Sequence, residues 1–283
     1  MFSPSDLNAP KIVCDISDST VASVIATMKT AIADGADAFH LNISRVNLTD
    51  VEELKPIFDR IKVPIFSSNR RAAFFPVYGE SDFEPRQESD EVRMAGLLRS
   101  VQLGGVGVDI EFDTFHEMPD DISIAQEGAA GLSSGKEGIG RLGEVSFDPT
   151  AVARQKEFIR SVKDAGGFTV MSTHTSRPMS VAETLVLAEA AAERGADYLK
   201  IVVRTRDEED GDEVVRAALA LRRKSALPFV IMPMGSATLA TRAALFLLGG
   251  GWVFSQPKYV PTGFDQQPLP HLLVPLVRAL RAS

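Results

Sequence analysis

Short runs of β-branched and apolar residues alternate with longer segments of helical period along the chain. The apolar runs predict strands at Lys11–Asp15, Ala38–Ile43, Pro64–Ser67, Val106–Glu111, Gly167–Ser172, Asp197–Val203, Pro228–Met232 and Trp252–Ser255. Helical patterns lie near residues 19–34, 50–62, 89–103, 149–165, 180–195, 208–224, 237–248 and 269–281. Glycines end several of them just before the next strand: Gly35, Gly104, Gly166 and Gly195. Eight βα units in a row predict an α/β fold, a (β/α)8 TIM barrel, as a single domain over residues 1–283.

Two connections are longer than this pattern requires, near residues 68–88 and 113–148. Both follow strands, so we expect them on the carboxyl face, where the active sites of barrels form. The first carries Phe74, Phe75 and Tyr78, and we expect it to be a lid. The second is rich in glycine, and its pattern is as typical of disorder as of a contact with a partner.

The composition excludes several classes of protein. The net charge is −8 with no basic stripe, which argues against nucleic-acid binding. The single cysteine, Cys14, excludes a disulfide framework and a cysteine-based zinc site. No apolar run reaches the roughly 18 residues of a membrane span. We expect a cytoplasmic protein; the apolar stripe of the last helix allows a homodimer but also fits ordinary packing.

Lys200 stands inside the sixth apolar run, Ala196–Val203, where a charged side chain is unexpected. Alternation places Tyr198, Lys200 and Val202 on one face of that strand. A buried ammonium is costly unless it is paired or loses its proton, and a neutral amine attacks carbonyls. The residues alone leave two interpretations open: a Schiff-base nucleophile, or a lysine that extends to solvent.

Other chemistry-bearing residues stand at predicted strand ends. His174 shares a strand face with Ser172, one strand away from Lys200, so it could transfer protons beside an iminium. A loop histidine bonded to a backbone carbonyl is the alternative. The arginines expected on this face are Arg45, Arg70, Arg71, Arg177, Arg204, Arg206 and Arg242. Such a cluster favours a small-molecule carboxylate or phosphate ligand.

These residues together resemble the type I 3-dehydroquinate dehydratase family. The matching segments run in order as Val108–Glu111, Val170–His174, Ala196–Val203 and Pro228–Gly235, followed by Arg242 and Phe254. The resemblance implies a carbon–oxygen lyase of the shikimate pathway and aromatic amino-acid biosynthesis, which uses a lysine imine and needs no cofactor or metal. Its substrate would be 3-dehydroquinate, dehydrated to 3-dehydroshikimate.

The resemblance also implies roles for individual residues. Lys200 would be the nucleophile, His174 the general acid and base, and Arg242 the clamp on the substrate carboxylate. The other residues expected to bind substrate are Met234, Phe254, Gln266, Gln267, Arg70, Asn69, Asn42, His40 and Glu111.

The chain departs from the family pattern at its second and third strands. Where the family has Glu-x-Arg-x-Asp, this sequence has His40-Leu-Asn42-Ile-Ser44. Where the family has Thr-x-Arg and then a glutamate, it has Ser67-Ser-Asn69 and then Ala73. Arg70 replaces the arginine only with a shift of one residue, and Glu80 or Glu84 would have to supply the carboxylate.

Three alternatives to this enzyme stay open. One is an imine-forming dehydratase or aldolase that acts on a different keto acid. A second is a non-catalytic barrel that only binds a ligand. A third is a divalent-metal site built from Glu111, His174, His40 and Asp113, although the chain has only four histidines and no His-x-His pair.

Overall fold

The structure is a computed structural model that describes residues 4–72, 84, 86–116, 145–175, 177–235, 238–248, 251–258 and 267–282. Its strands are β1 Lys11–Ile16, β2 Ala38–Asn42, β3 Ile65–Ser68, β4 Gly107–Glu111, β5 Phe168–Thr175, β6 Tyr198–Thr205, β7 Phe229–Gly235 and β8 Trp252–Ser255. Its α-helices are α1 Val21–Ala33, α2 Lys55–Arg60, α3 Asp90–Gln102, α4 Pro149–Asp164, α5 Val181–Arg194, α6 Glu208–Lys224, α7 Thr238–Leu247 and α8 Pro270–Ala282.

The strands lie in one parallel sheet in the order β7-β6-β5-β4-β3-β2-β1-β8. Each strand is followed by a helix, so the chain has the (β/α)8 barrel fold that its hydrophobic pattern predicts. Among the described residues, no helix is long and apolar enough to span a membrane.

Three elements differ most from their predicted bounds. Strands β5 and β7 each continue three residues beyond the predicted end, so His174 lies inside β5 and Pro233 inside β7. The helix expected over residues 50–62 is a short 3₁₀ turn followed by α2. Pro56 stands in the first turn of α2, where its missing N–H has no helical partner to lose.

Gly195 confirms the predicted punctuation between helix and strand. It caps α5 in the left-handed conformation, with φ of 87°, and its N–H bonds the carbonyls of Ala191 and Ala192. The chain turns here into β6, which begins at Tyr198.

The contacts divide the chain into two compact units. Unit 1 consists of Met1–Asp109, Ser161–Thr169 and Trp252–Ser283, and unit 2 of Ile110–Arg160 and Val170–Gly251. The sequence prediction of one domain over residues 1–283 stays a prediction.

Each unit has its own packed interior. In unit 1, the ring of Phe66 lies 5.7 Å from that of Phe168 and 5.3 Å from that of Trp252, measured between centroids. In unit 2, the hydroxyl of buried Tyr198 donates a 3.0 Å hydrogen bond to the carbonyl of Phe229. This bond gives the buried phenol hydroxyl the hydrogen-bond partner that a buried polar group requires.

Candidate active site

Lys200 lies in the middle of β6 in unit 2 and is only 3% exposed. It pairs in register with Ser172 of β5 on one side and Val230 of β7 on the other. Both neighbours are buried. Its long side chain therefore starts from a strand that is covered on both edges, and Lys200 is not a surface residue that extends into water.

His174 lies on β5, the neighbouring strand, and pairs in register with Val202. Side chains two residues apart on a strand project from the same face, so His174 and Ser172 share a face with Lys200 and Val202. The imidazole stands one step further than Lys200 toward the carboxyl ends of the strands. His174 is half-buried.

Hydrogen bonds hold the turn that follows His174. The hydroxyl of Thr175 donates to the carbonyl of Arg177, at 2.9 Å, and Arg177 in turn pairs with Glu183 at the start of α5. Burial acts to raise the pKa of the Glu183 carboxyl, but hydrogen bonds from Arg177 and from Ser180 outweigh it and hold that pKa below its usual value. The backbone that carries the histidine thus leads into a fixed turn.

A buried arginine ties together the two described ends of the second long connection. Arg194 donates to the carbonyl of Ser146 at 2.5 Å and to the side chain of Gln155 at 2.7 Å, and it lies 3.4 Å from the carbonyl of Phe112. Burial among neutral acceptors lowers the pKa of Arg194 to about 10. Glu111, at the end of β4, precedes this anchor directly and is itself buried.

Arg242 lies in α7, at the carboxyl end of β7. Its Nε donates to the carbonyl of Pro233 at 3.1 Å. Met234, half-buried, has its carbonyl bonded by the hydroxyl of Thr205 at 3.1 Å. Gly235 follows with φ of 132°, where a Cβ would overlap the carbonyl oxygen of Thr205. Only glycine allows β7 to approach β6 so closely.

Unit 1 contains a second polar cluster, which we call the unit 1 chain: Gln267, Asp15, His40, Asp109 and Arg70. Nδ1 of His40 lies 2.6 Å from Oδ1 of Asp15, and Nε2 of Gln267 donates to Oδ2 of the same carboxylate at 2.9 Å. On the far side of the ring, Nε2 of His40 is 3.4 Å from Oδ2 of Asp109. Arg70 donates to that oxygen at 2.9 Å.

Aromatic rings fix the His40 imidazole within this chain. The ring stacks on Phe66 with centroids 4.9 Å apart and meets the edge of Phe254 at 5.9 Å. The predicted site residues Phe254 and His40 are therefore in contact with each other. Both are buried.

The remaining predicted residues of unit 1 bind their own neighbours. Asn42 accepts a 2.5 Å hydrogen bond from the hydroxyl of Ser44, which itself accepts from the backbone N–H of Arg70. Asn69 donates to Glu88 at 3.1 Å. Gln266, and the aromatic residues of the expected lid, lie outside the described residues.

Most of the arginines expected at this face are paired with carboxylates. Arg70 binds Asp109, as above, and the other ion pairs are Arg71 with Asp90, Arg177 with Glu183, and Arg206 with Asp210. These four arginines bind carboxylates of the protein itself. The sequence suggested all seven as a site for a ligand carboxylate, so fewer of them are now candidates. Among the described residues, no group of three histidine, cysteine or acidic side chains is arranged to hold a metal ion.

The sequence reasoning missed Asp15 and Asp109 as members of the unit 1 chain. Asp109 lies two residues before Glu111 on β4, so the strand pattern alone predicts that both side chains project from the same face. Asp15 is the polar residue near the end of β1, a strand end that carried no candidate. Its contact with Gln267, 252 residues away, has no local signal in the sequence.

A family model described as Type I 3-dehydroquinase matches residues 145–260. These residues include Lys200, His174, Arg242 and Met234. No curated protein sequence matches the chain.

Solved structures share the fold at low identity. A 3-dehydroquinate dehydratase from Geobacillus kaustophilus has a TM-score of 0.70 at 16% identity, with 96% of this chain and 90% of that chain covered. A type I 3-dehydroquinate dehydratase from Clostridium difficile, with covalently modified comenic acid, has a TM-score of 0.72 at 16% identity, covering 97% and 93%.

A different enzyme with a similar fold shows how general the likeness is. A truncated 3-deoxy-D-arabino-heptulosonate 7-phosphate synthase from Thermotoga maritima has a TM-score of 0.53 at 12% identity, covering 97% of this chain and 86% of that chain. Fold likeness alone therefore does not select the chemistry. Residues 145–260 thus match the type I 3-dehydroquinase family model, and the chain has the barrel fold of solved 3-dehydroquinate dehydratases.

Proposed function

We propose that the protein is a Schiff-base lyase that dehydrates a cyclic keto acid, with 3-dehydroquinate as the first substrate to test. The observation that carries the proposal is the pairing of β5 with β6, which sets buried Lys200 and half-buried His174 on one face of adjacent strands. The family match spans both residues.

In the proposed reaction, the neutral amine of Lys200 adds to the substrate ketone, and the resulting carbinolamine loses water to give an iminium. His174 removes a proton from the carbon beside the iminium and then gives a proton to the hydroxyl that leaves as water. Addition of water to the conjugated iminium releases the product ketone and restores the amine. The net change is loss of one water molecule from the substrate.

Arg242 is the proposed carboxylate-binding residue, because it follows β7 in the same unit as Lys200 and a guanidinium can pair with a carboxylate through two parallel hydrogen bonds. Met234 lies beside it, and Glu111 stands at the end of β4 in the same unit. Roles for His40, Asn42, Asn69, Arg70, Phe254 and Gln267 in binding substrate stay predictions.

Reduction with borohydride in the presence of dehydroquinate, followed by intact mass measurement, tests the proposal. We expect a stable adduct of one ligand molecule in the native protein and in Lys258→Ala, a control at an exposed lysine just after β8. We expect none in Lys200→Ala. Absence of an adduct in the native protein would rule out dehydroquinate as the ligand.

One observation favours a second candidate, an imine-forming enzyme with a different keto acid. Asn42 and Ser44 stand where the family pattern has charged residues, and they bind each other. Adducts with other cyclic or linear keto acids, but none with dehydroquinate, would support this candidate. A folded protein that forms no adduct with any member of such a panel would favour a barrel that only binds a ligand.

A further inference from the structure

Arg194, at the end of α5, is a buried cation whose hydrogen-bond acceptors in the described part of unit 2 are neutral oxygens. It is 3% exposed, and it donates to the backbone carbonyl of Ser146 at 2.5 Å and to the side-chain oxygen of Gln155 at 2.7 Å. Removing a guanidinium from water without an anion bound to it is unfavourable. An apolar side chain could fill the same space without this cost, so the guanidinium indicates that these acceptors need to be held.

The bonds of Arg194 converge on Phe112, the residue that follows β4. The Phe112 carbonyl lies 3.4 Å from Arg194, and it accepts from the side chain of Gln155 and from the backbone N–H of Ser146, each at 3.0 Å. Gln155 also donates to the carbonyl of Thr114 at 2.7 Å. We call Arg194, Gln155 and Ser146 the β4 anchor. Together they fix the point at which the chain leaves β4.

The turn held by the β4 anchor has a strained backbone. Phe115 has φ of 67°, a left-handed value that an aromatic residue rarely adopts. The guanidinium of Arg154 lies 4.0 Å from the centroid of its ring and holds it from the helix side. Strained residues persist only where the surrounding contacts over-determine them, and they are concentrated at functional sites. The anchor therefore maintains a conformation, directly after β4, that the chain would not adopt alone.

The anchored end of β4 lies against the strand that carries His174. The N–H of Phe112 donates to the carbonyl of Ser172 at 2.9 Å, which places Glu111 beside Ser172 in the parallel ladder. Ser172 is in turn in register with Lys200, so these residues form one row across β4, β5 and β6. Glu111 is buried, at 8% exposure. By alternation along β5, His174 projects from the same face as this row.

Glu111 and His174 stand diagonally to each other on adjacent strands of unit 2. Strands lie about 4.8 Å apart and two residues extend about 6.6 Å along a strand, so their Cα atoms are separated by about 8 Å. A glutamate and a histidine side chain together can span this distance. A histidine that transfers protons is commonly oriented by a third group, often a carboxylate that accepts the N–H of its second ring nitrogen. Glu111 meets this requirement.

We propose that Glu111 is a positioning residue that orients the His174 imidazole, and that Arg194 holds Glu111 in place through the β4 anchor. The Glu111 carboxylate accepts the N–H of one ring nitrogen, which leaves the other nitrogen to exchange protons with a ligand. This role stands in place of the substrate contact that the family resemblance implies for Glu111. The reaction that His174 serves rests on the proposed function above, whereas the orientation of its ring can be measured without any reaction.

Nitrogen-15 NMR of the histidine rings tests the proposal in the ligand-free protein. The chain has four histidines, so labelling them gives four ring systems, which single His→Asn variants assign. At a pH where the His174 ring is neutral, we expect Glu111→Met to change the ratio of its two tautomers about tenfold, the size of one charge-assisted hydrogen bond. The ring of His271, on α8, should be unchanged and is the internal reference.

Arg194→Ala should change the same ratio in the same direction, and guanidinium ion far below a denaturing concentration should restore it. Arg216→Ala, at an exposed arginine of the same unit that pairs with Glu213, is the matched control and should show no change. In the Glu111→Met background, Arg194→Ala should add at most about twofold, because the group that it positions is already gone.

A native tautomer ratio in Glu111→Met would overturn the proposal, and a shift in Asp113→Asn instead would transfer the role to the acid two residues further on. Additive changes in the double variant would separate Arg194 from Glu111 and reject the anchor. Thermal unfolding checks that Arg194→Ala folds; if it does not, Arg194→Lys decides, because an ammonium lacks the fork that holds several acceptors. Since no substrate is present, failure here is distinct from failure of the borohydride experiment.

Discussion

The two units of this barrel carry different kinds of polar residues. In unit 2, Lys200, His174 and Arg242 follow the pattern of the dehydroquinase family, and the family model spans them. In unit 1, the family's strand-end charges are absent, and the unit 1 chain runs from Gln267 to Arg70. The difference teaches that the groups proposed to react and the groups proposed to recognise a ligand can diverge separately on one fold.

The comparison also shows two ways to place a charge inside a protein. The unit 1 chain alternates acids and bases, so each buried charge has a partner of opposite sign or a hydrogen bond. Lys200 is placed by the pairing of its strand with both neighbours, and Arg194 is held by neutral oxygens. Paired charges hold each other in place and stay ionised. A lysine that attacks a carbonyl must instead lose its proton first.

The largest effect is expected for Lys200→Met, which keeps the length of the side chain and removes the amine. Turnover of the true substrate should fall by on the order of 10⁴-fold or more, because no imine can form. Lys258→Met, at the exposed position after β8, is the control and should keep full activity. Substantial turnover by Lys200→Met would assign the chemistry to another residue.

His174→Asn should have the next largest effect. Loss of one general acid and base typically costs about 10²–10⁴-fold in kcat. His116→Asn is the matched control in the same unit, since His116 shares a hydrogen bond with the hydroxyl of Ser146 and follows β4 rather than lying on β5. Steady-state kinetics measures both variants, and borohydride trapping should still succeed in His174→Asn after long incubation. Equal losses in the two histidine variants would contradict the role of His174.

In unit 1, Asp109→Asn should act on stability. The carboxylate is buried and binds Arg70, so its removal breaks a buried ion pair and should cost about 3–5 kcal/mol in the free energy of unfolding. Asp59→Asn, which breaks the exposed pair with Lys55, should cost less than about 1 kcal/mol. Urea unfolding measures both. A cost for Asp109→Asn no larger than that of Asp59→Asn would mean that the unit 1 chain adds little to the fold.

The smallest effect is the pH dependence that Cys14 adds to unit 1. Burial raises the pKa of its thiol to about 12, from an ordinary value of 9.0. The folded form therefore keeps its proton between pH 9 and 12 while the unfolded form loses it. The contribution of Cys14 to stability is full below pH 9 and declines by about 1.4 kcal/mol per pH unit above it.

Urea unfolding at pH 8 and pH 10 measures this decline, with Cys14→Ala as the comparison. The alanine variant should show a smaller loss of stability between the two pH values. If both proteins lose the same amount, the alkaline transition belongs to other groups. Cys14 should also resist thiol reagents at pH 8 unless unit 1 opens.

The repeated part of the fold could be predicted from the sequence because its signals are local. Apolar runs recur eight times, glycines end four of the helical segments, and each strand lies within a few residues of its predicted position. The ends of β5 and β7 were missed, because polar residues such as His174 and a proline in β7 interrupt the apolar pattern there while the ladder of hydrogen bonds continues.

The candidate site was predictable only where one residue breaks a strong local pattern. Lys200 was found because a charge inside an apolar strand is rare. The partners of His40 were not, since Asp15, Asp109 and Gln267 come from three distant segments. Likewise, the suspected substrate arginines looked alike in sequence, and only the structure shows that four of them form ion pairs with carboxylates.

The sequence by itself determined the order of strands and helices, the odd placement of Lys200, and the family pattern around it, because periodicity and short motifs act over a few residues. Tertiary structure decided the rest. The residues that lie opposite Lys200 depend on strand register, and the hydrogen bond from the Gln267 amide nitrogen to Asp15 joins residues 252 positions apart. A hydrogen bond requires a donor and an acceptor in a defined geometry, and residues far apart in sequence reach that geometry only after the chain has folded.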